Sequence, residues 1–230
     1  EDIDPVTLCK IDSNIDNHVL IIDVSDSYNK IQIIQIKKIL NNIIQTLKIG
    51  EKIEVYLLND TLVNKLEPTI SLCNPDKGID KNEFTSNPKL MEKRWSKNFY
   101  IPLTNAIDNI TGNNQSDTSP ILETLQIINN TSFPLVKNDF NTRKVTIISD
   151  MIQNSSSLSF YKNELGYIKN FLNTMSFNKV RTDFTGVEID IYVARRDNNE
   201  YLQTIDYMNF WISILEKMNA TVNKIKVIDG

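Results

Sequence analysis

The chain has 230 residues, which suits one large α/β domain or two small ones, and its 40% hydrophobic content is enough for a proper core. A formal charge of −4, a pI near 5.2 and the lack of any stripe of aromatic and basic residues exclude a general nucleic-acid binder, which carries a basic face. No apolar stretch approaches the roughly 20 residues that span a bilayer, and the sequence starts at Glu1, so a membrane is expected only through a signal or anchor upstream.

The apolar run Val19 to Ile22 predicts a first strand over about 18–23, ending in Asp23. A helix is expected from Ser27 to about Leu47, because Ile33, Ile36, Leu40, Ile43, Ile44 and Leu47 share one side and Gly50 stands just past the end. Ile53 to Leu58 reads as a second strand, followed by a turn at Asn59-Asp60 and an antiparallel edge strand from Thr69 to Cys73. Residues 74–87 have no periodicity and read as a loop. Pro88 opens a helix containing Leu90, Met91, Trp95, Phe99 and Tyr100, which Pro102 must kink or divide. Trp95 and Trp211 stand at apolar helical positions and read as core.

A polar loop from Asn113 to Asp117 leads to Thr118-Ser119-Pro120, which opens a helix through Ile121, Leu122, Leu125, Ile127 and Ile128 with Pro120 at the favoured first position. The β-branched run from Lys144 to Ser149 ends, like the first strand, in an aspartate, Asp150. A polar loop (Met151 to Ser157), a helix from about Tyr161 to Asn173, a strand from Val187 to Ala194, a helix from Ile205 to Met218 and a strand from Lys224 to Ile228 complete the chain. This alternation predicts a doubly wound α/β fold: a mostly parallel central sheet with one antiparallel edge strand and helices on both faces. We read residues 1–230 as a single domain, with 1–17 an N-terminal lead and 74–112 an insert carrying an extra helix.

The chemistry is expected at Asp23-Val24-Ser25-Asp26-Ser27. One carboxylate and two hydroxyls at alternate positions, at the carboxyl end of a strand, present hard oxygen ligands of the kind a hydrated divalent cation prefers. Such an ion needs near-octahedral oxygen coordination, so further ligands must come from elsewhere. Ser119, just before its helix, and Asp150, at the end of its strand, fit, because a parallel sheet brings both aspartates to the same rim.

With these residues the chain resembles the von Willebrand factor A domain and its metal-ion-dependent adhesion site, whose pattern is Asp-x-Ser-x-Ser after the first strand, Thr before a helix and Asp after the fourth strand. The matching positions are Asp23, Ser25, Ser27, Ser119 and Asp150. The resemblance covers nearly the whole chain. It implies that the hydroxyls bind Mg²⁺ or Mn²⁺ directly, that the aspartates act largely through water, and that a carboxylate from a protein partner completes the shell. Two positions depart from the family: Asp26 stands where Gly is common, either adding a carboxylate or capping the next helix, and Ser119 stands where Thr is usual. The chain also resembles bacterial A-domain-like proteins of the cell envelope, which implies an extracytoplasmic setting, periplasmic or at the envelope.

Cys9 and Cys73 are the only cysteines. Both lie in irregular stretches, which favours one disulfide tying the lead to the segment after the third strand over two unrelated buried thiols. A disulfide would indicate an oxidising compartment.

Three functions remain open. The first is a non-enzymatic binding module joined to its partner through the cation. The second is a structural A-like domain whose metal site is silent. The third is an aspartate-dependent phosphotransferase or phosphatase; this is disfavoured because position 25 is Ser where a second acid is wanted, and no lysine or glycine-rich loop is placed to stabilise a transferred phosphoryl group. His18, the only histidine, precedes the first strand and lies away from the rim, and Arg195-Arg196 reads as a solvated charge pair at a strand end.

Overall fold

The computed structural model describes residues 2–11, 15–58, 66–82, 84, 86–108, 116–133 and 141–229. Its strands are β1 (Asn17–Asp23), β2 (Lys52–Leu58), β3 (Ile70–Cys73), β4 (Arg143–Ser149), β5 (Val187–Ala194) and β6 (Thr221–Ile228). They form a six-stranded sheet in the order β3-β2-β1-β4-β5-β6, with every pairing parallel except β2 with β3. The mostly parallel sheet and its antiparallel edge strand are those predicted from the apolar runs. The turn expected at Asn59-Asp60 and most of the Asn113–Asp117 loop lie outside the described residues.

The helices are α1 (Lys30–Thr46), α2 (Pro88–Trp95), α3 (Ile101–Asp108), α4 (Ile121–Ser132), α5 (Leu165–Asn170), α6 (Met175–Val180) and α7 (Ile205–Lys217). They cover both faces of the sheet because side chains alternate along each strand. Val19 and Ile21 of β1 pack into the core formed with α4, α5, α6 and α7, whereas Leu20 and Ile22 pack into the core formed with α1, Trp95, Phe99 and α3. Trp95 and Trp211 are core residues of opposite faces.

α1 starts at Lys30, later than Ser27. Asn29 is its N-cap: its side chain accepts from Ile31 N and Gln32 N while the Gln32 side chain accepts from Asn29 N, a reciprocal capping box. Gly50 adopts φ +83°, a conformation that favours glycine, in the turn between α1 and β2. The break expected at Pro102 takes the form of a π-helical turn, Ser96–Tyr100, directly before it. Ile101 N donates to Ser96 O across this wide turn, and Pro102, which has no N–H, follows as the second residue of α3. The helix expected over 161–173 is shorter, with a 3₁₀ turn at Phe171–Asn173, and α6, capped by Thr174, was not read from the sequence.

The N-terminal lead is pinned at the opposite end of the sheet from Asp23. Cys9 and Cys73 form a disulfide, and Cys73 N donates to Thr7 O at 2.8 Å. Among the described residues, no helix is long and apolar enough to cross a membrane.

Candidate functional site

β1, β4 and β5 run parallel, so Asp23, Asp150 and the residues after Ala194 emerge at one rim. Asp23 is buried and its carboxylate is fully used. Oδ1 accepts from Ser25 N at 3.0 Å and Ser25 Oγ at 2.6 Å, and Oδ2 accepts from Ser119 Oγ at 2.9 Å and Ser149 Oγ at 2.7 Å. Short hydroxyl-to-carboxylate bonds of this kind are among the stronger hydrogen bonds in proteins. Tyr28 OH donates to the Asp23 carbonyl, and burial together with the nearby Asp23 carboxylate raises the Tyr28 phenol well above its ordinary range.

Three segments close the rim around this carboxylate. Ser116 N donates to Ser25 O at 2.9 Å, and Ser119 and Asn154 exchange backbone hydrogen bonds at 2.9 and 3.0 Å. Pro120 occupies the N-cap position of α4, not its first helical position, and supplies no side-chain cap. The cap comes instead from the next rim segment: the fully buried Gln153 accepts from Leu122 N at 3.1 Å and donates to Glu123 and Ser155. Between these segments lies a cleft of about 310 Å³, lined among others by Ser25, Asp26, Ser119, Asp150, Asn154 and Tyr161.

Asp150 is held by its own loop and by a cation. Oδ1 accepts from Ile152 N at 2.9 Å, and Oδ2 lies 3.4 Å from Arg196 Nε. Burial, with the Asp23 charge adding to it, pushes the Asp150 carboxyl up to about 7 against the opposing pull of Arg196. The chain then turns sharply. Met151 has φ 60°, which costs a non-glycine residue about 1–2 kcal/mol. Its N–H donates to Ser149 Oγ at 2.9 Å and its carbonyl accepts from Trp211 Nε1 at 2.8 Å, fixing the turn between the sheet and α7.

The structure thus brings together Asp23, Ser25 and Ser119 in direct contact, and places Asp150 on the same cleft. It does not join Ser27 to them. Ser27 is exposed, its N–H donates to Asp26 Oδ1 at 2.7 Å and its carbonyl accepts from Arg196 Nη1. Cys9 and Cys73 stand far from the rim and serve the lead.

The sequence reading of Arg196 as solvated is corrected. Arg195 does lie at the surface, but Arg196 is buried against Asp150, with Nη2 3.4 Å from Asp26 O, Nε 3.7 Å from Asp26 Oδ2 and its guanidinium 5.0 Å from the Tyr28 ring centroid. The parallel sheet itself was the available signal, since it brings the carboxyl end of β5 to the rim that carries both aspartates. Ser149 and Gln153 were also missed; nothing in their local sequence distinguishes them from strand-end and loop residues.

The donor chemistry fits a small hard cation. Ser25 and Ser119 give their O–H bonds to Asp23, which leaves their oxygen lone pairs for an ion, with the Asp150 carboxylate on the same cleft. Among the described residues, no three His, Cys, Asp or Glu side chains converge to hold a metal ion, so any ion at the rim would depend on the serine hydroxyls.

The protein is a doubly wound α/β domain with a hydroxyl-lined acidic rim. No family model and no curated protein matches the sequence. Among solved structures it is similar to the SpRpn10 VWA domain, at 10% identity and TM-score 0.48, covering 94% of this chain and 88% of that one. It is also similar to the conserved hypothetical protein BatB from Bacteroides thetaiotaomicron, at 9% identity and TM-score 0.45, covering 92% and 90% of the two chains. A von Willebrand factor type A structure from Catenulispora acidiphila has 12% identity and TM-score 0.47, covering 93% of this chain and 39% of that one.

Proposed function

We propose that the chain is a non-enzymatic protein-interaction module whose rim holds Mg²⁺ or Mn²⁺ through Ser25, Ser27 and Ser119, with Asp23 and Asp150 behind them, and engages a carboxylate of a protein partner through that ion. The observation that carries this reading is the Asp23 carboxylate, which orients the Ser25 and Ser119 hydroxyls at 2.6 and 2.9 Å beside a cleft shared with Asp150. The bound ion would supply Lewis acidity toward a partner carboxylate, and no covalent step is needed. Ser27, exposed at the lip, is the member of the set that must turn toward the cleft. The described lining of the cleft is made of hydroxyl, carboxylate and amide side chains with Ile152 and Tyr161, a set suited to holding a hard cation.

The Cys9–Cys73 disulfide supports an oxidising, extracytoplasmic compartment, periplasmic or at the cell envelope. A second reading, a structural domain with a silent metal site, draws support from Arg196, which already places a positive charge beside Asp150 and Asp26.

Calorimetric titration of the chain with Mg²⁺ and Mn²⁺, with Ser25→Ala and Asp150→Ala alongside, tests the proposal. Binding that both substitutions abolish supports the rim site. If no heat is released and the ions do not raise the melting temperature, the metal reading falls and the structural reading stands.

A further inference from the structure

Arg196 is a buried cation built into an acidic rim. Its side chain is only 8% exposed, as is that of Asp150, and it reaches the rim from the segment after β5. It joins Asp150 to the far half of the motif loop: Nε faces Asp150 Oδ2 at 3.4 Å and Asp26 Oδ2 at 3.7 Å, while Nη1 and Nη2 donate to the carbonyls of Ser27 and Asp26. The Tyr28 ring covers it, and its own backbone N–H is held by Gln203 at 2.9 Å. Burial of two carboxylates on one rim, as with Asp23 and Asp150, is unfavourable unless hydrogen bonds or a cation compensate them. A divalent ion at the cleft would provide that compensation, and the guanidinium already provides part of it. The guanidinium does not line the cleft, so it need not be expelled for an ion to enter.

We propose that Arg196 is a positioning residue that acts as an internal counter-cation, keeping the motif loop and Asp150 assembled in the metal-free state and weakening the affinity of the rim for a divalent ion. The inference rests on the metal reading of the site. It makes the rim a low-affinity cation site, preformed at Asp23, Ser25, Ser119 and Asp150 but not at Ser27, and loaded at high ion concentration or when a partner carboxylate shares the ion. A purely structural Arg196 makes the opposite prediction, because damaging the loop would weaken ion binding.

The test compares the unmodified chain with Arg196→Gln and Arg196→Lys by Mn²⁺ calorimetry and by melting with and without Mn²⁺. Arg196→Gln, which removes the charge beside Asp150, is expected to bind Mn²⁺ about tenfold more tightly and to melt at a lower temperature without metal, with Mn²⁺ restoring much of the loss. Arg196→Lys keeps the charge, and its Mn²⁺ affinity is expected to stay within about twofold of the original. If Arg196→Gln folds only with Mn²⁺ present, the proposal holds; if Mn²⁺ does not restore its fold, the proposal fails. Mn²⁺ binding by the unmodified chain that is unchanged or weaker in Arg196→Gln overturns the role of Arg196 and leaves the metal site standing. Absence of binding in all three proteins overturns the metal reading and this inference with it.

Discussion

The hydroxyl of Ser149 donates to the Asp23 carboxylate at 2.7 Å and accepts from Met151 N at 2.9 Å. One buried side chain therefore ties the end of β4 to the end of β1 and also steadies the left-handed turn that follows Asp150. Ser149→Ala leaves the Asp23 carboxylate short of a donor and the Met151 N–H short of an acceptor. The expected cost is about 2 kcal/mol, read as a shift of the urea midpoint. A loss below about 0.5 kcal/mol would show that the rim relaxes around the gap.

Gln153 performs the capping that Pro120 cannot. It closes the N-terminus of α4 through Leu122 N, and its own amide is satisfied by Glu123 and Ser155. Gln153→Leu keeps the volume but leaves a helix donor and two side-chain acceptors without their partner. We expect a loss of about 2 kcal/mol. Gln153→Glu should also destabilise, since it sets a second carboxylate beside Glu123, and a neutral result in both variants would mean that water replaces the amide.

The central strands β1 and β4 were legible because burial on both faces makes them nearly continuous apolar runs, and β5, which alternates apolar residues with Glu188 and Asp190, is found over Val187–Ala194 where the pattern puts it. The antiparallel β3 was read from the turn residues Asn59-Asp60 after Leu58 and the run from Thr69 to Cys73, and the strand is found over Ile70–Cys73. The start of α1 was harder to place, because Ser27 and Asn29 are both good capping types and only the Gln32 side chain decides between them. α6 has a six-residue span, too short to show a helical period. At the rim, Asp23, Ser25, Ser119 and Asp150 could be singled out by residue type and spacing. Arg196 could not, since its burial depends on a neighbour 46 positions away in sequence. A local reading assigns an Arg-Arg pair to solvent, and only the strand order shows which of the two turns inward.

His18 gives the fold a pH dependence unrelated to the rim. Its ring nitrogen lies 2.9 Å from Thr146 Oγ1, and burial, with Lys144 adding to it, lowers its pKa from 6.5 to about 4. The folded state therefore favours neutral imidazole. The stabilisation is complete above pH 6.5 and is lost as pH falls toward 4, at roughly 1.4 kcal/mol per pH unit through that window. Between pH 7.5 and 5 the original chain should lose about 2 kcal/mol more than His18→Gln, measured by urea denaturation at both pH values. Equal losses would place the acid sensitivity on the carboxylates instead.

The disulfide spans 64 positions and joins a lead whose described contacts include a bridge of Ile3 with Lys10, a few backbone bonds at the foot of the sheet and Leu8 packed against the core. A cross-link of this length is worth about 4 kcal/mol on the loop-entropy estimate. Reduction, or Cys9→Ser with Cys73→Ser, should lower the melting temperature. It should also expose the segment around Val6, which is already solvent-facing, to limited proteolysis while β1 to β6 remain protected. Because the rim lies at the other end of the sheet, Mn²⁺ affinity measured well below the new melting temperature should be unchanged. A parallel loss of affinity would show that the lead and the rim belong to one cooperative unit, in which case the disulfide secures the site as well as the lead.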